Sequence, residues 1–221
     1  MEAAFEDQAG KDARKMKKRL FQEIPRLEDD RLLLRQITAA DAQDLSCFAH
    51  SPAIYRLLPT FLYEQKYPDI HRVIDGLYAD CLRKSLILGV FLRQGGDFCG
   101  LAEWYGFRDE IHKVSIGYRF LEACWGKGIA SETVGLMIDW LLNETDIRIV
   151  TASTMLENKA SGRVLAKNGF SLVQTGIDED WGYGKPTPTD KWFLLLNNRA
   201  GRQVGDAGKI RKNVTFHLCS L

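Results

Sequence analysis

The stretch CWGKGIAS, residues 124–131, decides the fold of this chain, because it joins a strand-like run to a strongly helical one. The apolar pattern at 114–121 is typical of a strand, and the spacing at 129–143 is typical of a helix. Gly126 and Gly128 lack a Cβ atom, so the main chain there can approach a ligand closely. The first N–H groups of the helix point at the same place. Strand, glycine loop and helix start therefore predict a pyrophosphate site made of main chain.

Two other interpretations of this loop exist. An ordinary strand-to-helix turn would show the same spacing, since two glycines alone are a weak signal. A Rossmann dinucleotide site needs a third glycine and an acidic residue at the end of the next strand. Ser131 stands in place of that glycine, and the next predicted strand ends in Ser153 and Thr154. The sequence therefore excludes the Rossmann alternative.

The composition is that of an ordinary globular protein. The 221 residues are 45% hydrophobic and 27% charged, which predicts one domain with a large core. A formal net charge of +1 gives no global field for nucleic acid or an anionic membrane, and no apolar run is long enough to span a bilayer. The five cysteines are scattered without a C-x-x-C motif, which favours free thiols. We therefore expect a cytoplasmic protein with no metal site, no nucleic-acid partner and no membrane partner.

Three regions follow from the distribution of charge and of apolar residues. Residues 1–26 form a charged N-terminal extension, which predicts an amphipathic helix or a partly ordered leader rather than a nucleic-acid arm. The folded domain is predicted over 27–199. Residues 200–221 form a glycine-rich tail in which 214–218 alternate like a strand. That tail could be disordered, or could add to a sheet edge in this chain or in the second copy of a homodimer.

The periodicity of apolar residues predicts an alternation of strands and helices. Strands are predicted at 31–37, 86–92, 98–107, 112–121, 147–154, 170–177 and 191–197. Helices are predicted from Thr38 to about residue 50, and at 69–85, 129–143 and 158–168. Residues 178–190, rich in glycine, proline, acidic and aromatic residues, are predicted to link the last two strands.

This order predicts an α/β fold of the mixed α+β kind, with helices on both faces of one mixed sheet. The strands at 112–121 and 147–154 flank the helix that follows the glycine loop. They should therefore be parallel neighbours joined by a right-handed crossover.

Two blocks resemble the GNAT superfamily of acetyl-CoA-dependent N-acetyltransferases, and within it the Rim-type branch of ribosomal-protein N-terminal acetyltransferases. The first block is IGY at 116–118 followed by WGKGIASE at 125–132, and the second is NKASGRVLAKNGF at 158–170. The resemblance extends from about residue 27 to 198. It implies a six- or seven-stranded mixed sheet that splays open between the strands at 112–121 and 147–154. The pantetheine arm of acetyl-CoA is expected in that opening.

The resemblance and the loop chemistry agree on the residues that bind the cofactor. Main-chain N–H groups are expected to hold the pyrophosphate over Gly126, Lys127, Gly128, Ile129, Ala130 and Ser131. A bulged strand end near Phe120 and Leu121 is expected to bond the pantetheine amides like an added strand and to polarise the thioester carbonyl. Asn158 stands where the family directs an asparagine toward the pantetheine arm. A plain helix N-cap is the other interpretation of Asn158.

Catalysis by direct attack needs a neutral amine, an oxyanion donor and a proton for the leaving thiolate. Many GNAT enzymes place a tyrosine in the fourth helix as proton donor, but Leu165 occupies that position here. Resemblance to the Rim-type branch makes Ser161 the expected donor, and a first-turn helix residue without a catalytic role is the alternative. The expected base is Asp180, an acid followed by an aromatic residue. Glu103 is the second candidate, and either carboxylate could instead be merely solvated.

The acceptor is an amine whose identity the sequence leaves open. The acidic run at 178–180 would attract a protonated amine. Aromatic residues could wall its pocket, namely Tyr55, Phe61, Tyr63, Trp181 and Tyr183. An N-terminal Ala, Ser or Thr of a protein is the first expectation, and a polyamine, free amino acid or aminoglycoside is the second.

Two further alternatives concern the kind of protein. A CoA-binding sensor or scaffold without turnover is the rival from another class, supported by Leu165. A covalent mechanism through Cys124 and His112 is disfavoured, because nothing in the sequence brings the two together.

Overall fold

A computed structural model describes residues 23–57, 69–81, 85–181 and 184–196. The predicted extension before residue 23, the tail after residue 196, and the aromatic residues Phe61, Tyr63 and Tyr183 lie outside the described residues. Within them the strands are β1 (Leu27–Glu28), β2 (Leu32–Arg35), β3 (Ser85–Leu92), β4 (Phe98–Arg108), β5 (Lys113–Phe120), β6 (Ile149–Met155), β7 (Ser171–Glu179) and β8 (Thr187–Leu195). The helices are α1 (Ala42–Ala49), α2 (Pro52–Tyr55), α3 (Ile70–Cys81), α4 (Ile129–Glu144) and α5 (Lys159–Lys167).

The strands form one sheet in the order β1-β2-β3-β4-β5-β6-β8-β7. Every neighbouring pair is antiparallel except β5 and β6, which are parallel as predicted. The seven predicted strands are present. The expected total of six or seven is nevertheless too low, because β1 pairs with β2 at the sheet edge. A strand of two residues is too short to show any periodicity in the sequence.

The linker between the last two strands is shorter than predicted. β7 continues to Glu179, and β8 already begins at Thr187, which is its direct partner. The polar composition suggested a loop, but these polar side chains bond one another across the ladder. Thr189 Oγ1, for example, donates to the Glu179 carboxylate at 3.1 Å. Composition alone does not distinguish a loop from a strand whose polar groups are paired.

Helices cover both faces of the sheet, as predicted. On β3, Leu86 and Leu88 pack in the cluster that contains α4 residues such as Met137. Ile87 and Phe91 of the same strand pack in the cluster formed with α1 and α3. The alternation follows from the two-residue period of a strand. Among the described helices, none is long and apolar enough to cross a membrane.

The helix predicted to follow Thr38 begins with a 3₁₀ turn, Ala39–Asp41, which leads into α1. The Asp41 carboxylate accepts the Thr38 main-chain N–H at 2.8 Å. Arg35 binds the same carboxylate through two bonds of 2.8 Å. These hydrogen bonds, that of Arg35 foremost, hold the pKa of Asp41 below its usual value although burial opposes them.

The sheet opens between β5 and β6, which confirms the predicted splay. The two strands pair only over three positions, from Lys113 with Ile149 to Ser115 with Thr151. Beyond that point β5 stays paired with β4, and β6 stays paired with β8. Residues 116–120 and 152–155 therefore border a cleft in the middle of the sheet.

Substituting Gly100 with alanine is expected to destabilise the strands beside this cleft by about 3 kcal/mol, near the upper end of overpacking costs. A Cβ at Gly100 would lie 2.2 Å from the Arg119 carbonyl oxygen and 2.8 Å from the Phe120 Cα. Because both neighbours are main chain of β5, neither can rotate away. Urea denaturation would measure the loss. Gly176→Ala is the matched control, since an added Cβ meets nothing within 4 Å there, and an equal loss in both variants would contradict the steric argument.

Candidate active site

A cavity of about 260 Å³ lies where β5 and β6 separate. Residues of β3, β4, β5, β6 and α5, together with 179–181, line this cavity. Four residues singled out from the sequence meet there, namely Glu103, Asn158, Ser161 and Asp180. Folding thus brings together side chains that are up to 77 residues apart in the sequence.

The glycine loop follows β5 through a 3₁₀ turn, Glu122–Cys124, and leads into α4. Gly126 and Gly128 have φ angles of +71° and +81°, a left-handed conformation that favours glycine. Lys127 is exposed beside them, as expected for a residue at the edge of a phosphate site. Ile129 is 2% exposed and anchors the first turn of α4 in the core.

Two side chains that the sequence reasoning missed hold this loop in place. Arg31 Nη2 donates to the Lys127 carbonyl at 2.9 Å, and Arg31 Nη1 pairs with the Glu132 carboxylate at 3.0 Å. Asn168 Nδ2 donates to the Ser131 carbonyl at 3.1 Å, which ties the end of α5 to the start of α4. Asn168 belongs to the second sequence block, whereas no local pattern distinguishes Arg31 from any other charged residue.

Glu132 is the acidic partner of Arg31 in this ion pair. Burial, and then the charge of Asp29, raise the pKa of Glu132, and they outweigh the opposing effect of Arg31. Glu132 lies in the first turn of α4, where the helix dipole favours a carboxylate, and the Arg31 guanidinium pairs with it.

The end of β5 differs from the expected bulge. Its pairing with β4 runs without a shift from Phe120 to Ser115, and the nearest register shift lies in β4 at Cys99. The Leu121 N–H donates to the Cys99 carbonyl at 2.9 Å, so it is engaged within the protein. By the alternation of an antiparallel ladder, the main-chain groups of Phe120 and Tyr118 point away from β4, toward the opening. The Phe120 carbonyl accepts the Trp125 Nε1–H at 2.9 Å, which leaves the Phe120 N–H for a ligand. Leu121 is thus poorly placed to donate to a pantetheine amide, whereas Phe120 stays a prediction.

Asn158 and Ser161 form the first turn of α5. Asn158 Oδ1 accepts the Ser161 N–H at 3.1 Å, so Asn158 is the helix N-cap. The Asn158 side-chain amide group is not needed for this cap, and Asn158 lines the cavity. Its expected contact with the pantetheine arm therefore stays a prediction, compatible with the capping role.

Ser161 contacts a tyrosine that the sequence reasoning did not single out. Ser161 Oγ donates to Tyr118 Oη at 2.7 Å, and Tyr118 Oη donates to the Ser161 carbonyl at 3.2 Å. Burial raises the pKa of Tyr118, which outweighs the lowering effect of the Ser161 hydrogen bond. Leu165 lies one turn further along α5, is fully buried and lines the same cavity. The IGY motif contains Tyr118, but the motif alone does not reveal its serine partner.

Acidic residues also line the cavity. Glu103 of β4 is 5% exposed, and Asp180 is exposed. Tyr105 lines the cavity together with Glu103 and Glu179. Burial first, and then the charges of Glu103 and Glu179, raise the pKa of Tyr105.

Glu179 is held by its neighbours rather than directed at a ligand. Trp181 Nε1 donates to its carboxylate at 2.9 Å, and Lys191 forms an ion pair with it. Burial alone would raise the pKa of Glu179, but the hydrogen bonds from Lys191 and Trp181 lower it below its usual value. Glu179 therefore fixes the indole of Trp181 on the cavity wall, where that aromatic residue was expected.

His112 and Cys124 lie at opposite ends of β5. The structure therefore also disfavours a covalent mechanism through these two residues. His112 Nδ1 is instead 3.2 Å from Asp146 Oδ2. Asp109 joins them, so that one potential ligand atom of each lies within 4.8 Å of the others. Exposed acidic groups often gather in this way without an ion, and the absence of a metal site stays a prediction.

The mixed sheet opens between β5 and β6, beside the glycine loop and the start of α4. The family model described as acetyltransferase (GNAT) domain matches residues 31–171. The chain therefore belongs to the GNAT family of acetyltransferases, as the two sequence blocks predicted.

Individual relatives agree with this assignment. The "Uncharacterized N-acetyltransferase YoaA" of Bacillus subtilis (strain 168) is 28% identical over 170 residues, which cover 76% of this chain and 93% of the relative. RimL, a ribosomal L7/L12 alpha-N-protein acetyltransferase in complex with coenzyme A, has a TM-score of 0.67 at 15% identity and covers 79% of this chain and 100% of its own. Spermidine N-acetyltransferase from Vibrio cholerae, in complex with CoA and spermine, has a TM-score of 0.63 at 15% identity. The match covers 76% of this chain and 97% of that enzyme. At such identities the two structures are similar to this chain in fold.

Replacing Arg31 with methionine is expected to weaken CoA binding about fivefold, equivalent to the loss of about 1 kcal/mol from one hydrogen-bonded support. The loop would lose its bond at the Lys127 carbonyl and hold its N–H groups less firmly. Calorimetric titration with CoA measures the effect. Arg26→Met is the control, because Arg26 pairs with Glu28 on the surface and its side chain is 60% exposed. Equal affinities in the two variants would contradict the role of Arg31.

Proposed function

We propose that this protein moves the acetyl group of acetyl-CoA to a primary amine, which attacks the thioester directly. One observation carries the proposal. A single cavity at the opening of the sheet is lined by a hydroxyl, Ser161, and by carboxylates that include Glu103 and Asp180. Direct transfer needs a proton donor and a proton acceptor within reach of one reacting centre.

The main chain from Gly126 to Ser131 would hold the pyrophosphate of acetyl-CoA. Left-handed φ angles at Gly126 and Gly128 and the bonds of Arg31 and Asn168 support this assignment, since they fix N–H groups at the start of α4. The main-chain N–H of Phe120 would bind the pantetheine arm along the open edge of β5. Asn158 would contact the same arm through its side-chain amide.

Glu103 is the base that we propose, with Asp180 attracting the amine at the rim. A carboxylate that is 5% exposed can take a proton from an ammonium group that leaves water to reach it. An exposed carboxylate such as Asp180 acts at longer range, by raising the local concentration of cations. An α-amino group has a pKa near about 8, so a base of modest strength suffices.

Ser161 is the proposed donor of the proton that the leaving thiolate takes up. Its hydroxyl lines the cavity in the first turn of α5, where the positive end of the helix dipole also favours a developing negative charge. The Leu165 side chain excludes water beside it.

The proposed acceptor is a protein N-terminus, with a polyamine as the second candidate. The solved structures of similar fold include enzymes named for each of these acceptors. The carboxylates Glu103 and Asp180 would attract either kind of amine. The size of the cavity does not favour either candidate, because a protein N-terminus and a polyamine each present a narrow chain that ends in a primary amine.

An acceptor panel read by free thiol tests the proposal. Peptides beginning with Ala, Ser or Thr, spermidine, free amino acids and an aminoglycoside are each incubated with acetyl-CoA, and released CoA is measured with a thiol reagent. We expect turnover with at least one acceptor, and a fall of kcat of about 100-fold in Ser161→Ala with CoA binding retained. CoA binding by calorimetry without thiol release from any acceptor would instead support a sensor or scaffold.

A further inference from the structure

Two hydroxyl groups meet in the cleft, and only one of them has a role in the proposed function. Ser161 stands on α5 and Tyr118 on β5, and their oxygens are 2.7 Å apart. Both residues line the cavity. The phenol of Tyr118 thus contacts the proposed proton donor directly. Tyr118 lies on β5, whereas Leu165, at the position where many GNAT enzymes have a tyrosine, lies on α5.

The hydrogen bonds between the two residues can reverse without any movement of heavy atoms. Ser161 Oγ now donates to Tyr118 Oη, which donates in turn to the Ser161 carbonyl at 3.2 Å. Hydroxyl hydrogens rotate freely, so Ser161 can turn its hydrogen toward the cavity while Tyr118 turns its own onto Ser161 Oγ. The bond given up is the longer of the two, and it is therefore the weaker one.

Acid strength explains why the serine needs such a neighbour. An aliphatic hydroxyl is a far weaker acid than a thiol, whose pKa is about 8.5. A serine that gave up its proton alone would be left as an alkoxide in a partly buried cleft. A phenol, with an ordinary pKa of about 10, is much closer to the thiol in acidity.

On the basis of the proposed acetyl transfer, we propose that Tyr118 makes Ser161 a competent proton donor. As the C–S bond of acetyl-CoA breaks and the C–N bond forms, the Ser161 hydrogen passes to the sulfur and the Tyr118 hydrogen passes to Ser161 Oγ. Water then returns a proton to the Tyr118 oxygen, and the proton released by the attacking nitrogen passes to Glu103 and on to water. The balance is an amine and a thioester converted into an amide and a thiol.

Burial raises the pKa of Tyr118, so the phenol keeps its proton throughout the physiological range. The same shift makes Tyr118 a weaker acid than a free phenol, so its hydrogen moves to Ser161 Oγ only as Ser161 gives up its own. One contact agrees with this role, since the Tyr118 ring packs near Phe120, with centroids 6.1 Å apart, in the segment whose main chain faces the opening. Because Tyr118 acts on the substrate only through Ser161, it is a positioning residue.

The test combines Tyr118→Phe, Ser161→Ala and the double variant in the thiol-release assay. Tyr118→Phe keeps the ring but removes the hydrogen bonds to Ser161, so the free energy of unfolding should fall by about 1 kcal/mol. KM for acetyl-CoA should be unchanged while kcat falls at least about 10-fold. The double variant should be no slower than Ser161→Ala, because the two hydroxyls act as one unit. Full activity in Tyr118→Phe, or multiplied losses in the double variant, would overturn the inference.

Ser115→Ala is the matched control. Ser115 Oγ and Thr151 Oγ1 are 2.8 Å apart and also bridge β5 to a neighbouring element, but neither residue lines the cavity. We expect kcat within about twofold of the unaltered protein, as for a surface substitution away from the site. A loss as large as that of Tyr118→Phe would show that any hydroxyl pair between these elements matters only for structure, and would overturn the inference.

A titration that needs no acceptor separates this inference from the proposed function. The thiol of bound CoA is titrated by thiolate absorbance, and Tyr118→Phe should raise its pKa, because Ser161 would lose the donor behind it. An unaltered protein that acetylates no amine would refute the proposed function alone. An unchanged thiol pKa in Tyr118→Phe would refute the role of Tyr118, whatever the acceptor assay shows.

Discussion

Replacing Glu103 with glutamine is expected to lower kcat about 1000-fold at neutral pH, within the range of a lost general base. The amide has the same shape as the carboxylate and keeps its place beside Gly117, where a Cβ added to the glycine would lie 3.8 Å from Glu103 Oε2. It cannot, however, accept the proton of the incoming ammonium group. Steady-state kinetics with the best acceptor of the panel would measure the loss, with KM for acetyl-CoA unchanged.

The loss of kcat in Glu103→Gln should become smaller as the pH rises. Above a pH of about 8, an α-amine arrives already deprotonated, so the base matters less and the variant should recover part of its activity. The unaltered protein should gain much less over the same interval. A variant that remains equally impaired at high pH would show that Glu103 places the amine rather than deprotonating it.

Glu179→Gln is the control for this experiment, since Glu179 lines the same cavity as Glu103 and is also a carboxylate. Lys191 and Trp181 already engage it, and its pKa lies below the usual value, although burial alone would raise it. We expect KM for the amine to rise, because the amide has only one acceptor oxygen for Lys191 and Trp181 and so holds the Trp181 indole less firmly, while kcat stays near normal. The opposite pattern, with kcat lost in Glu179→Gln and kept in Glu103→Gln, would contradict the proposed base.

The sequence predicted the parts of the site that depend on local geometry. A strand, two glycines and a helix start are neighbours in the chain, so the conformation of the loop at Gly126 and Gly128 could be predicted, while its role in binding the pyrophosphate stays a prediction. The same holds for Asn158, whose capping of α5 involves a residue three positions away. Parallel pairing of β5 with β6 also followed, because a crossover through α4 leaves little choice.

The parts that sequence reasoning missed depend on contacts between distant segments. Arg31 reaches the loop across 96 residues, and the Tyr118 and Ser161 hydroxyls meet across 43. No periodicity encodes such pairs, since each partner looks ordinary in its own element. The short edge strand β1 was missed for a different reason, because two residues carry no pattern.

Substituting Gly126 with alanine is expected to weaken CoA binding about 100-fold, equivalent to about 3 kcal/mol. An added Cβ meets no protein atom within 4 Å, so the protein itself has room for it. The methyl group would instead stand where the pyrophosphate approaches the main chain, and would push the phosphates away from the N–H groups at the start of α4. Calorimetric titration with CoA would measure the affinity.

The hairpin glycine Gly96 provides a closely matched control. Its φ angle is +76°, against +71° at Gly126, and a Cβ there also meets nothing within 4 Å. Both alanine variants should therefore lose about 1 kcal/mol of folding stability, the cost of a left-handed conformation. Only Gly126→Ala should lose CoA affinity as well. If the two variants bind CoA equally well, the main chain of this loop does not hold the pyrophosphate, and the cofactor must bind elsewhere along the cleft.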